Sequence, residues 1–254
     1  MATPELSAEE AINAALRYGY DAVSLRMHEI CGEVMLNSSN EELHKIRNLF
    51  SDSGIIQGAL MCYNDMQPSS EECSRYTFEY ALKAMENAAE AGAKSIRLFG
   101  DGIHLDAFCD AISKAIEKSQ TGINVFIQNH PGNADYSEIV NSICKINNTG
   151  LIFSPEYINE KEVYGVCKEV IPFIKEVYAT NKITTDGIVK HVSLSEGDYD
   201  WRKLYKILAN EGFDDILYIK WERVWHRALA PYSVILPKEK QFFDELKAMY
   251  ETRA

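Results

Sequence analysis

Apolar positions along this chain switch repeatedly between two periods. Where they recur every three to four residues the chain reads as amphipathic helix, and where they alternate or crowd into short runs it reads as strand. Ser7-Ala8-Glu9-Glu10 opens the first helix, with Ser7 as N-cap and Glu10 completing a capping box, and Gly19 stops it after Tyr18. Asp21 to Met27 reads as a strand. Ser38 or Ser39 caps a helix ending before Gly54, and Ile55 to Tyr63 is strand-like. Ser69-Ser70-Glu71-Glu72 starts a long helix to Ala91, Gly92 ends it, and Ser95 to Phe99 is a strand. Helix 103–119, strand Asn124 to Gln128, helix 135–146 and strand Leu151 to Ser154 follow. The remainder reads as helix 160–179, strand Gly187 to Leu194, helix 200–210, strand Ile216 to Glu222 and a last helix at 238–251.

Seven strand–helix alternations thus follow one helix whose own strand is missing or reduced to the first few residues. Such alternation implies parallel strands joined by helical crossovers. With about 30 residues per unit, closure into a barrel is expected: the fold class is α/β, a (β/α)8 TIM barrel with the first strand truncated or missing. Residues 1–254 read as a single domain. A doubly wound open sheet competes, but no GxGxxG follows the first strand. Either the polypeptide starts upstream of Met1, or the barrel has a gap between the strands at 21–27 and 216–222. Such a gap exposes unpaired edges, so a homo-oligomer is a possible outcome. Trp221, Trp225 and His226, with Pro231 to Pro237, read as a long rim loop.

Strand parity selects what faces the barrel interior, because alternate residues point to opposite sides and the helix-covered side must be apolar. Leu217, Ile219 and Trp221 are apolar, leaving Tyr218, Lys220 and Glu222 inward. The same argument puts Ser24, Arg26 and His28 inside, then Ser95, Arg97 and Phe99, then Asn124, Phe126, Gln128 and His130, then Ile152 and Ser154. In the strand at 187–194 the parity is ambiguous, and the preferred register turns His191 and Ser193 inward. A rim collecting Arg26, His28, Arg97, Gln128, His130, Ser154, His191, Lys220 and Glu222 is where barrel enzymes keep their sites, although some of these groups can simply satisfy one another.

Composition narrows the partners. Lys and Arg number 26 against 38 Asp and Glu, a formal charge of −12, which argues against nucleic acid and anionic membranes as partners. No apolar run is long enough to span a bilayer, and the N-terminus lacks the basic and apolar regions of a secretory signal, so a cytoplasmic location is expected. The 6 cysteines show no metal-knuckle spacing and read as small buried hydrophobes.

Several segments, in order, resemble the xylose isomerase-like barrel superfamily, which includes sugar phosphate isomerases and epimerases and the endonuclease-four-type repair enzymes. These are Tyr18 to Arg26 (YGYDAVSLR), Ala88 to Leu98 (AAEAGAKSIRL), Val125 to Gly132 (VFIQNHPG), Phe153-Ser154-Pro155, Ile188 to Val192 (IVKHV), Glu196 to Trp201 (EGDYDW) and Phe213 to Glu222 (FDDILYIKWE). The resemblance implies a divalent metal held by Glu, Asp, His and Glu at four strand ends, where it polarises a substrate oxygen while carboxylates move the proton. Carried over position by position, those ligands become Gln128, Ser154, His191 and Lys220, and Ser24 stands where a glutamate is usual. An amide, a hydroxyl and an ammonium are poor company for a hard cation, so the expected cofactor is none and no metal ligands are assigned. A slip of two residues would bring in Glu156 or Glu222.

Two readings follow. One is a divergent sugar or sugar phosphate isomerase or epimerase, with Lys220, His191 and Glu222 as candidate catalytic residues. Arg26, Arg97, Gln128, His130, Ser154 and Glu156 would then bind a small carbohydrate-like or anionic ligand. A Lys220 desolvated beside other cations would have a lowered pKa and could form a Schiff base, unless Glu156 or Glu222 pairs with it. The other reading is a non-catalytic relative, a binding protein or the inactive subunit of a complex. A repair nuclease would need a multi-metal site and a basic groove, which the sequence does not supply.

Overall fold

Local signals set the first helix ends. In the computed structural model of the chain, which describes residues 2–63, 71–100, 104–129 and 135–251, α1 (Ala8–Tyr18) starts at Ser7. The Ser7 hydroxyl accepts from the Glu10 amide while the Glu10 carboxylate accepts from the Ser7 amide, and Gly19 closes the helix at φ 75°. Ser39, Glu42 and Gly54 repeat the device around the second helix. Both capping boxes satisfy amides that a helix start leaves without partners, and glycine takes the left-handed C-cap without a Cβ clash.

The barrel wall is built from short parallel strands. β1 (Ala22–Val23) and β2 (Arg26–Met27) are two parts of one strand position; α2 (Asn40–Ser53) follows, and β3 (Ile56–Gln57) and β4 (Leu60–Cys62) share the next position. The chain continues through α3 (Glu71–Ala91), β5 (Ser95–Phe99), α4 (Leu105–Ser119), β6 (Asn124–Gln128), α5 (Tyr136–Ile143) and β7 (Thr149–Phe153). It ends with α6 (Val163–Val170), β8 (Ile174–Ala179), β9 (Asn181–Thr185), β10 (Ile188–Val192), α7 (Trp201–Asn210), β11 (Ile216–Ile219) and α8 (Tyr232–Glu251). β11, β8, β7, β6, β5, β4 and β2 pair in that order, all in parallel, and β1 pairs in parallel with β3. The architecture is an α/β barrel of the (β/α)8 type with its first strand missing among the described residues.

Three sequence expectations are corrected. The span 160–179 is not one helix: α6 stops at Val170, Pro172 sits in a 3-10 turn over Ile171–Phe173, and Ile174–Ala179 is the seventh strand of the wall. Proline cannot donate the helical hydrogen bond, and Ile174, Val177 and Tyr178 behind it favour a strand. The strand expected at 187–194 is not part of the barrel. β10 pairs antiparallel with β9 in a separate hairpin, turned by Asp186 and Gly187 at φ 51° and 78°, the positive angles that a two-residue Asp-Gly turn requires. Finally, α8 begins at Tyr232 and carries Pro237 within it, so only the residues up to Pro231 form the rim loop.

Parity is as the alternation predicts. Leu25, Leu60, Ile96, Leu98, Val125, Ile127, Leu151 and Val177 are buried in the main core between wall and helices, each contributing about 1.5–3 kcal/mol. Met61, Ile152 and Tyr178 form a separate cluster with Tyr63, Phe126 and Tyr218 inside the barrel. A Cβ at Gly58 would come within 1.4 Å of the Tyr218 hydroxyl, so glycine there lets the ring cross the interior. No pairing joins β11 to β1 or β2 among the described residues. A cavity of 870 Å³ lies along this seam, lined by Val23, Tyr178, Leu217, Tyr218, Lys220 and Phe243 among others. Among the described residues no helix is long and apolar enough to cross a membrane.

Candidate functional site

The C-terminal ends of the strands bring most of the singled-out residues to one mouth. Lys220 follows β11 directly, and its amide donates to the Ala179 carbonyl at 2.8 Å, which fixes it at the end of the wall. Its buried ammonium pairs with Glu156 and lies 3.1 Å from Glu222 Oε1. Burial alone would lower its pKa, but the charges of Glu222 and Glu156 outweigh that and hold it well above the ordinary lysine value. The lowered pKa that a Schiff-base lysine needs is therefore not met, and Lys220 is a fixed positive charge.

Glu156 sits in the 3-10 turn Pro155–Tyr157 behind β7 and is buried. Burial pushes its carboxyl up, and the Lys220 charge and hydrogen bond bring it below the usual carboxylate range. Its backbone carbonyl accepts from Lys182 Nζ at 2.5 Å, tying the hairpin to the barrel rim. Ser154, just before it, is fully buried and its hydroxyl has no hydrogen-bond partner. Its backbone amide donates to Tyr136 Oη at 2.7 Å, which holds the strand end in place. Gln128 is also buried, at the end of β6.

The two arginines differ. Arg26 is neutralised locally: its guanidinium pairs with Glu33, and its amide donates to Glu33 Oε2 at 2.7 Å. Arg97 is 1% exposed and has no salt-bridge partner among the described residues. Its guanidinium carbon lies 3.9 Å from the centroid of Phe99 and 4.8 Å from that of Tyr63, while Nε and Nη1 are buried without hydrogen-bond partners. Stacking stabilises the cation but leaves its donors in the ring plane free.

Aromatic rings continue the wall outward. Tyr63 meets His28 at 5.2 Å, Phe99 at 6.0 Å and Trp225 at 6.1 Å between centroids. Burial raises the Tyr63 hydroxyl's pKa, Arg97 and Arg26 oppose it, and Glu222 adds to it. His191 belongs to the hairpin rather than to the wall. It reaches the rim from outside, with its ring 4.9 Å from that of His226. Burial lowers its pKa, against the opposing pull of Glu156 and Glu222. His130 lies outside the described residues.

Some groups at the site escaped the sequence reading. Glu33 is one, and the spacing of seven from Arg26 carried no signal. Glu176 and Tyr178 are the inward residues of the true seventh strand and were hidden inside the supposed helix. Glu176 is buried, accepts from the Ala59 amide at 2.9 Å, and has its pKa pushed to about 8 by burial. His226 reads as part of a loop, and its spacing of four from Glu222 is the signal in the sequence that points to it.

The sequence matches the family model described as xylose isomerase-like TIM barrel over residues 12–252. No curated protein sequence matches it. Among solved structures, a xylose isomerase domain protein from Planctomyces limnophilus superposes with a TM-score of 0.74 at 12% identity, over 95% of this chain and 92% of the other. A D-tagatose 3-epimerase-like protein gives 0.71 at 15% identity over 98% of each chain. Endonuclease IV from Thermus thermophilus gives 0.73 at 13% identity over 94% of each. At such identities these likenesses establish the fold alone.

Proposed function

Since this chain belongs to the xylose isomerase-like TIM barrel family, we propose that it is a divergent member whose mouth binds a small carbohydrate-like anion without the family's divalent ion at its usual strand ends. The observation that carries this reading is Arg97, a buried guanidinium whose Nε and Nη1 have no hydrogen-bond partner and which forms no salt bridge among the described residues. Leaving such donors buried costs roughly 1–3 kcal/mol each, and a carboxylate or phosphate oxygen is the group that satisfies them best. The aromatic wall of Tyr63, Phe99 and Trp225 suits the apolar face of a sugar ring, and Gln128 and the free Ser154 hydroxyl suit its hydroxyls. Arg26, already neutralised by Glu33, contributes shape more than charge.

The family's metal arrangement does not fit the residues present. Gln128 and Ser154 offer no anionic oxygen, and the position of the last ligand holds the Lys220 ammonium, itself bound by Glu156 and Glu222. The seventh-strand position falls among Glu176 and Tyr178, because His191 is on the hairpin. In an isomerase or epimerase form of this reading, Lys220 stabilises negative charge developing on a ligand oxygen. His191 and Glu222 stand beside it as the groups able to move a proton. The alternative is a barrel that binds the same ligands without turning them over.

Calorimetric titration with aldose and ketose phosphates, sugar acids and their neutral counterparts tests the reading. Anionic sugars are expected to bind and neutral ones to bind much more weakly. Arg97→Met is expected to weaken the anion by roughly 100-fold, a value consistent with one buried charged contact. Neutral and anionic sugars binding alike would overturn it, as would an Arg97→Met protein that binds as the parent does. Proton exchange from deuterated solvent into the bound sugar, followed by NMR, separates the catalytic form from the binding form.

A further inference from the structure

His191, Glu222 and His226 come from two separate parts of the chain and converge at the rim. Their nitrogen and oxygen ligand atoms all lie within 4.8 Å of one another. We propose that these three side chains form a site for one divalent transition-metal ion of the zinc class, relocated from the strand ends to the hairpin and the loop behind β11. The proposal does not rest on what the barrel mouth binds, and an ion here would withdraw His191 and Glu222 from moving a proton.

The site is partly built by the backbone. The His226 amide donates to the Glu222 carbonyl at 2.9 Å, a single helical turn that puts residues four apart on one side of the loop. The hairpin brings His191 against His226 from across the rim, ring to ring at 4.9 Å. Neither imidazole has a hydrogen bond to another described residue, so their nitrogen lone pairs are available. A tetrahedral ion with bonds of about 2.0–2.1 Å needs its donors little more than 3 Å apart. Binding therefore draws the donors together from their present spacing, and the exposed His226 is the side chain with room to move.

The donor set decides the class of ion. Two imidazoles and one carboxylate suit zinc and its first-row neighbours, whereas magnesium and calcium prefer oxygen throughout. Three protein ligands leave a fourth position open, as in zinc sites that hold water or a ligand. The neighbouring Lys220 does not forbid the ion. Its single positive charge faces two carboxylates, so Lys220, Glu156 and Glu222 together carry a net negative charge. This set differs from the family's ligand positions, which fall on Gln128, Ser154, Lys220 and the seventh strand. Glu222 lies two residues beyond the last of these, and both histidines lie outside the wall.

Equilibrium dialysis with zinc and visible absorption spectroscopy with cobalt(II) test the proposal on the full chain. One ion per chain is expected, with cobalt bands of low-coordinate geometry. His226→Ala, at an exposed position, and His191→Ala are each expected to weaken binding by at least about tenfold. His44→Ala, which removes the remote surface histidine paired with Glu90, is expected to change nothing. Absence of saturable binding at millimolar metal would overturn the proposal. So would binding that survives both His226→Ala and His191→Ala in proteins whose circular dichroism matches the parent.

Discussion

Glu176 shows how a single residue records the cost of a polar barrel interior. Its carboxyl faces inward from β8, takes one hydrogen bond from Ala59, and leaves Oε2 without a partner. With a pKa of about 8 in the fold against an ordinary 4.5, it keeps a proton that the unfolded chain gives up. The stability carried by the neutral form is complete below the unfolded value and drains away as pH rises to the folded one, by up to about 1.4 kcal/mol per pH unit. Glu176→Gln keeps the acceptor for Ala59 and removes the titration. Thermal melts are therefore expected to coincide at about pH 4.5, with the variant melting several degrees higher at about pH 8.5; a gap that does not change with pH would refute this. At this scale the sequence was legible where parity decided the answer: Arg97, Gln128, Ser154 and Lys220 point into the barrel as alternation requires. It was silent on pairing. Glu33 beside Arg26, and the partners that turn Lys220 into a fixed ammonium, are long-range outcomes that local periodicity does not encode.

Elements with local signals were readable and the one lacking a barrel partner was not. The capping boxes at Ser7 and Ser39 gave their helices correctly because every interaction lies within a few residues. Gly187 to Leu194 has the composition of a buried strand yet forms a hairpin outside the wall, and the informative feature is the Asp186-Gly187 turn ahead of it. Pro172 likewise marked the end of α6. What holds the hairpin in place is Asn181. Its side-chain amide donates to the Leu194 and Tyr199 carbonyls at 2.8 and 2.9 Å, and its Oδ1 accepts from the Tyr199 amide at 3.1 Å. Asn181→Leu is expected to cost about 3 kcal/mol by stranding these buried groups. Urea unfolding measures the loss, and a variant within experimental error of the parent would show that the clamp is dispensable.

Across the whole molecule, the strand order predicts a gradient of protection. β5, β6, β7 and β8 have neighbours on both sides, whereas β11 and the strand position of β1 and β2 each have one. Hydrogen–deuterium exchange is expected to be slowest at Ile96 to Leu98 and Val125 to Ile127. It should be faster by orders of magnitude at Leu217 to Ile219 and Ala22 to Val23, whose amides open locally. Equal protection around the wall would mean that the seam is closed in solution. Architecture was the most legible level of all, since seven alternations need only parallel pairing to become a barrel. That no strand precedes α1 among the described residues is legible too, as a helix opening the alternation.

A hoop cut at one point bends most easily beside the cut and least easily opposite it. Arg97, Gln128 and Ser154 stand on the stiff side, on β5, β6 and at the end of β7, whereas Lys220 and Arg26 flank the opening. A guest held by the stiff arc would keep its grip while the edges beside the cut move, and the pairing of Lys220 with Glu156 behind β7 is the strap that ties the looser edge to the stiffer one.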